Sequence, residues 1–189
     1  MTFANRINNF SFYLSVIVTL AFSSCLSTGD KVENNDSFDR EKVKQQFVKA
    51  NHQVVLKEND EMDYYQKSHQ MPFIKTTAGI RYFVYAPSLK GDSIETNDII
   101  KINYTVFLLD GTECYSSKSD GVKEIRVGME NVENGLHKAV LFLKSGDKAR
   151  ILIPSHLAHG LLGDSKKIPP QSPILYDLEI LSVNKQQQN

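Results

Sequence analysis

The sequence predicts an α+β domain, a curved antiparallel sheet wrapped on one short helix, with a helical extension ahead of it. Two alternating runs and one change of period carry that reading. Ile100, Ile102, Tyr104, Val106 and Leu108 recur at every second position, and so do Ile174, Tyr176, Leu178 and Ile180. This is the pattern of strands with one face buried. Between the two runs, Leu136, Ala139, Val140 and Leu143 fall at i, i+3, i+4 and i+7, one face of a short buried helix. One helix against one face of an antiparallel sheet makes two layers around a single core.

Ahead of that domain the chain changes character twice. Arg6 is the only charge among the first 25 residues, and Phe10 to Phe22 is a mostly apolar run of 13 residues. A membrane-spanning helix needs roughly 20 such residues, so the run fits the apolar part of an export signal instead. Ser23-Ser24-Cys25 follows. Small residues before a cysteine at this place resemble the lipobox of bacterial lipoproteins, although Phe22 stands where Leu is usual. The resemblance implies a signal peptide over residues 1–24 and lipidation of Cys25, which then becomes the mature N-terminus. Two or more acyl chains give stable membrane attachment where one is marginal. In the same resemblance Leu26, rather than Asp, points to the outer membrane over the inner. An ordinary cleaved signal and an uncleaved anchor are the alternatives. Residues 25–38 are polar and read as a disordered tether.

From Asp39, a possible cap, the period becomes helical. Val43, Phe47, Ala50 and Val54 fall at i, i+4, i+7 and i+11. Asn59-Asp60 interrupts, and Met62, Tyr65 and His69 predict a second short helix beyond it. Residues 39–74 thus form a helical extension, either a cover for the sheet or a surface for a partner. The domain itself is expected over 75–184, with 185–189 a polar tail. Within it, Asp110-Gly111 signals a hairpin. Ile125 and Val127 continue the sheet, and Asn134 can cap the buried helix. Ala149 to Ile153 and Ile174 to Val183 read as strands. The long loop between them carries Gly160, Gly163, Pro169 and Pro170. A loop of that length in a compact domain is uncommon unless it is functional.

From Ile153 to Pro170 the chain reads I-P-S-H-L-A-H-G-L-L-G-D-S-K-K-I-P-P. This resembles the FKBP-type peptidyl-prolyl isomerases, whose pattern is I-P-x-x-L-A-Y-G, a short glycine stretch, I-P-P, and a strand ending D-x-E-L-L. Further marks stand upstream in the same order: Asn103-Tyr104-Thr105, Leu109-Asp110-Gly111, Ser116-Ser117, Gly128, Gly135-Leu136 and Lys144-Ser145-Gly146-Asp147. The resemblance covers about residues 98–184. It is closest to the gliding-motility-associated FKBP-like lipoproteins, which share the lipobox, the helical extension and the I-P-S-H-x-A phrase.

The resemblance implies a substrate-binding pocket with no covalent or acid–base residue. Tyr104 matches an aromatic wall, Val132 an apolar edge, Ile168 the residue before the double proline, and Tyr176 the aromatic that closes the pocket. Leu136 stands where Trp or Leu forms the floor. Three places depart from the pattern. The family's F-D pair is Cys114-Tyr115, its backbone-donating Ile is Glu133, and the Tyr of A-Y-G is His159. A backbone donor survives at Glu133, and His159 can still donate to a carbonyl. Cys114 is expected to be a small buried hydrophobe.

Composition narrows the rest. Lys+Arg and Asp+Glu balance at 22 each, which gives no basic surface for nucleic acid. A hydrophobic content of 41% is enough for a sizeable core. Two distant cysteines, Cys25 and Cys114, make no disulfide framework. His156 and His159 lack the further ligands a metal site needs, and no cofactor motif is present. The expected partners are proline-containing segments of envelope proteins, and the membrane through Cys25. Two functions fit: a lipid-anchored prolyl isomerase assisting exported proteins, or an FKBP-fold chaperone or assembly protein that binds extended chains with little or no turnover.

Overall fold

The computed structural model describes residues 39–129 and 132–186. The segments expected to be a signal peptide, a lipobox with Cys25 and a tether lie outside the described residues. The chain divides into two units, residues 1–44 and residues 45–189. Of the first, the described part is the start of a helix, where Lys42 pairs with Asp39 at 3.2 Å.

That helix, α1, spans Arg40–Ser68 without a break. The expected interruption at Asn59-Asp60 does not occur. Asn59 stays helical because its side-chain amide donates back to the Val55 carbonyl at 3.0 Å. Its own carbonyl accepts from Arg81 at 3.1 Å, so its polar groups are used rather than left to compete with the helix. Phe47 and Val48 are exposed, and the buried residues of α1 are Glu58 and Met62. The face read from the sequence therefore covers the sheet only through its C-terminal half.

Among the described residues seven antiparallel strands follow: β1 Ile74–Lys75, β2 Arg81–Ala86, β3 Ile99–Leu108, β4 Glu113–Ser116, β5 Lys123–Arg126, β6 Lys148–Ile153 and β7 Ile174–Asn184. Their order is β1-β2-β6-β7-β3-β4, with β5 paired to the start of β3. A short helix α2, Ser117–Asp120, follows β4, and the buried helix α3, Asn134–Val140, precedes β6. Helix α3 starts at Asn134 itself, so the residue at its cap is Glu133, one place earlier than expected.

The alternation read from the sequence places one face of the sheet inward. Val106 stands opposite Tyr176, and Tyr176 opposite Ile151, so three neighbouring strands present their apolar residues side by side. Leu136, Ala139, Val140 and Leu143 close over them, all buried. Helix α3 approaches β6 at Gly135, where any Cβ would collide with the Ile153 side chain. The other face has its own cluster: Met62 of α1 with Phe73, Leu152 and Leu175. Leu152 and Leu175 are register partners on adjacent strands. The sheet is thus buried on both sides along β6 and β7.

Candidate functional site

A pocket of about 510 Å³ opens at the end of the inner layer, between the sheet, the start of α3 and the 154–173 loop. Its size lies in the range of small-ligand sites. Tyr104 and Val106 of β3 and Tyr176 of β7 form the sheet wall. The rings of Tyr104 and Tyr176 lie 6.2 Å apart at 42°. Val132, Glu133 and Asn134 form the edge ahead of α3, and Ala158, His159, Asp164 and Lys166 come from the loop. Tyr115 of β4 and Lys123 of β5 complete the rim, with the Lys123 ammonium 5.8 Å from the centre of the Tyr104 ring.

Two polar pairs shape this space. Tyr115 donates its hydroxyl to Asp164. The other oxygen of Asp164 accepts the backbone N–H groups of Lys166, Lys167 and Ile168 at 2.8, 3.0 and 2.9 Å. Burial pushes the Asp164 carboxyl up, but the Tyr115 bond and the backbone donors outweigh it and hold its pKa at about 2. The same hydrogen bond, with burial, pushes Tyr115 up to about 12. Asp164 thereby folds the loop on itself and ties it to β4. Gly163 permits this turn: its φ is +70°, and a Cβ there would meet the Ile168 carbonyl.

The second pair joins loop and helix edge. His159 Nε2 lies 3.1 Å from Glu133 Oε1, which is ion-pair distance if the imidazole is protonated. Yet neither His159 Nε2 nor Glu133 Oε2, both buried, has a hydrogen-bond partner. Burial raises the Tyr176 hydroxyl well above its ordinary pKa, and the charge of Glu133 adds to that. A carboxylate thus sits beside the closing aromatic, where the family pattern places an apolar side chain.

The structure brings together six of the eight residues singled out from the sequence: Tyr104, Tyr115, Val132, Glu133, His159 and Tyr176. Leu136 and Ile168 are 1% and 2% exposed; they belong to the core and do not line the pocket. Cys114 is also core, 1% exposed, with its sulfur 3.7 Å from the Lys167 carbonyl beneath the loop. Tyr115, not Cys114, supplies the wall on this side. Sequence reasoning missed Asp164, Lys123 and Lys166. The G-D step at Gly163-Asp164 is visible in the sequence, but nothing there pairs it with Tyr115. Among the described residues no cluster of His, Cys, Asp and Glu could hold a metal ion.

The chain is similar to known proteins along most of its length. The family described as FKBP-type peptidyl-prolyl cis-trans isomerase matches residues 91–181. The macrophage infectivity potentiator of Trypanosoma cruzi is 27% identical, over 95% of this chain and 86% of that protein. FK506-binding protein 2 of Dictyostelium discoideum is 32% identical, over 60% of this chain and 84% of that protein. Among solved structures, FkpA from Escherichia coli superimposes with a TM-score of 0.60 at 26% identity, covering 92% of this chain and 82% of that one. The chain belongs to the FKBP-type peptidyl-prolyl cis-trans isomerase family, and with it to that class of enzyme.

Proposed function

We propose that this chain isomerises X-Pro bonds in extended segments of exported or envelope proteins, held at the membrane by lipid on Cys25. The observation that carries the proposal is the pocket walled by Tyr104, Tyr115, Val132 and Tyr176 on the family's framework. The barrier to rotation about an X-Pro bond is about 18–20 kcal/mol, mostly lost amide resonance. The twisted amide has less charge separation than the planar one, so water favours it less and an apolar, aromatic wall favours it more. The proline ring lies against Tyr176 and Tyr104. The backbone N–H of Glu133 and the imidazole of His159 donate to the carbonyls that flank it and hold the peptide in register. No nucleophile, metal or proton transfer enters the step.

The anchor and the envelope location rest on the apolar run ending in Ser-Ser-Cys. A role with a motility or secretion machine rests on the likeness to gliding-motility-associated lipoproteins. Mass spectrometry of the native protein tests the anchor: a diacylated Cys25 at the N-terminus is expected, and an unmodified Cys25 overturns it.

A second reading has an observation of its own. Glu133, His159 and Asp164 make the pocket more polar than an apolar isomerase site requires. In this reading the groove holds extended chains and turns over slowly. Isomerisation of Leu-Pro and Ala-Pro peptides, measured without a coupling protease, separates the two: acceleration supports the enzyme, and peptide binding without acceleration supports the holder.

A further inference from the structure

Glu58 is 2% exposed, on a helix outside the family's core, and faces the loop of the pocket. A buried carboxylate is costly unless its oxygens are hydrogen-bonded. Both oxygens of Glu58 are used on one residue. Ser155 donates its backbone N–H to Oε2 at 2.8 Å and its hydroxyl to Oε1. Ser155 is itself 3% exposed and opens the 3-10 turn Ser155–Leu157. Its carbonyl in turn accepts the N–H groups of Ala158 at 2.9 Å and Gly160 at 2.7 Å. Those two residues bracket His159. One serine therefore passes its donors to α1 and fixes, through its acceptor, the backbone on either side of a pocket residue.

The helix end of this connection is rigid. Four residues after Glu58, Met62 is fully buried against Leu152 and Leu175. Asn59 and Asp63 both bind the guanidinium of Arg81, the first residue of β2, which is also fully buried. Glu58 is thus held by the turn that docks α1 on the sheet.

We propose that Glu58 is a positioning residue for the pocket: through Ser155 it sets where Ala158 and His159 stand relative to Glu133 and Tyr176. This rests on the isomerase reading for its kinetic arm only. Small displacements of groups that hold a substrate cost disproportionately in productive binding.

The test uses the full-length chain and the variants Glu58→Ala, Glu58→Gln and Ser155→Ala. Glu58→Gln keeps the shape and one acceptor for the Ser155 N–H; Ser155→Ala keeps the N–H and loses the hydroxyl. Two readouts are taken on protein with unchanged far-UV circular dichroism: backbone amide shifts and hydrogen exchange at 155–160, and kcat and KM on a Leu-Pro peptide. In Glu58→Ala the amides of Ala158, His159 and Gly160 shift and exchange faster, and KM rises about tenfold with a smaller change in kcat. Glu58→Gln recovers KM to within about threefold of wild type, and Ser155→Ala falls between. A purely structural role lowers the melting temperature but leaves these amides, kcat and KM alone, and that result overturns the proposal. If Glu58→Ala does not fold, Glu58→Gln and Ser155→Ala decide: unshifted amides with unchanged KM overturn it. If the wild type shows no isomerisation, the functional reading fails while the amide exchange still decides the role of Glu58.

Discussion

The two faces of the sheet are held by different physics. The inner face is mainly apolar: Ile100, Ile102, Val106, Ile151, Tyr176 and Leu178 against Leu136, Ala139 and Val140. The outer face buries a small apolar cluster around Met62, flanked by buried charge: Glu58 on Ser155, and Arg81 on Asp63 and Asn59. Hydrophobic burial is non-directional and supplies stability. Hydrogen-bonded buried charge supplies little net stability and much orientation. The inner face therefore makes the domain fold, while the outer face fixes how α1 and the pocket loop are set upon it.

The broadest way to break the comparison is to remove the outer layer. Deleting residues 1–74 takes away Met62 and uncovers Leu152 and Leu175, each worth about 1.5–3 kcal/mol of burial. The loss, about 5 kcal/mol or more, is a large part of an ordinary domain's stability. Thermal unfolding followed by circular dichroism should show a weakened or absent cooperative transition; an unchanged one would make α1 an ornament. On the inner face alone, Leu136→Ala should cost about 2–5 kcal/mol in urea unfolding, because the site is fully packed under α3. Its effect on peptide binding should be small, since Leu136 does not touch the pocket.

Charge on the outer face should matter less. Asp63→Ala leaves Arg81 buried with only the Asn59 oxygens. Asp63 itself is 57% exposed, so solvent already screens the pair. About 1–2 kcal/mol is expected in the same unfolding experiment. The smallest effect belongs to the loop tie, Tyr115→Phe, at about 1 kcal/mol. Its pH dependence sharpens the prediction. Asp164 has a folded pKa of about 2, below its ordinary value, so the stability it contributes is present above about pH 4 and disappears as pH falls through about 2. Tyr115, raised to about 12, keeps its contribution below about pH 10 and loses it as pH rises through 12. In the Phe variant both dependences should flatten.

The same division explains what could be read in advance. The inner face was legible because period-2 and period-3.6 patterns report burial directly: Val106, Tyr176 and Leu136 all lie where their spacing puts them. The pocket's aromatic walls were legible through the motif that surrounds them. The outer face was not. Glu58 and Ser155 stand 97 residues apart, and a lone glutamate in a polar helix carries no sign that it will be buried. Asn59-Asp60 read as a break because the partner that satisfies Asn59, Arg81, comes from another element. Asp164 looked like loop punctuation until the fold brought Tyr115 to it. Leu136 was placed at the pocket floor by motif alone, and the packing of α3 draws it into the core instead.

The central claim is that this pocket, with its carboxylate and its imidazole, still turns X-Pro bonds. The direct measurement is the cis–trans exchange rate of a Leu-Pro peptide by NMR, with catalytic amounts of the full-length chain, beside the Tyr176→Ala variant. The account predicts exchange much faster than the uncatalysed process, which takes tens to hundreds of seconds, and a clear loss in Tyr176→Ala with the fold intact. Exchange at the uncatalysed rate for the wild type, with the peptide demonstrably bound, would contradict it.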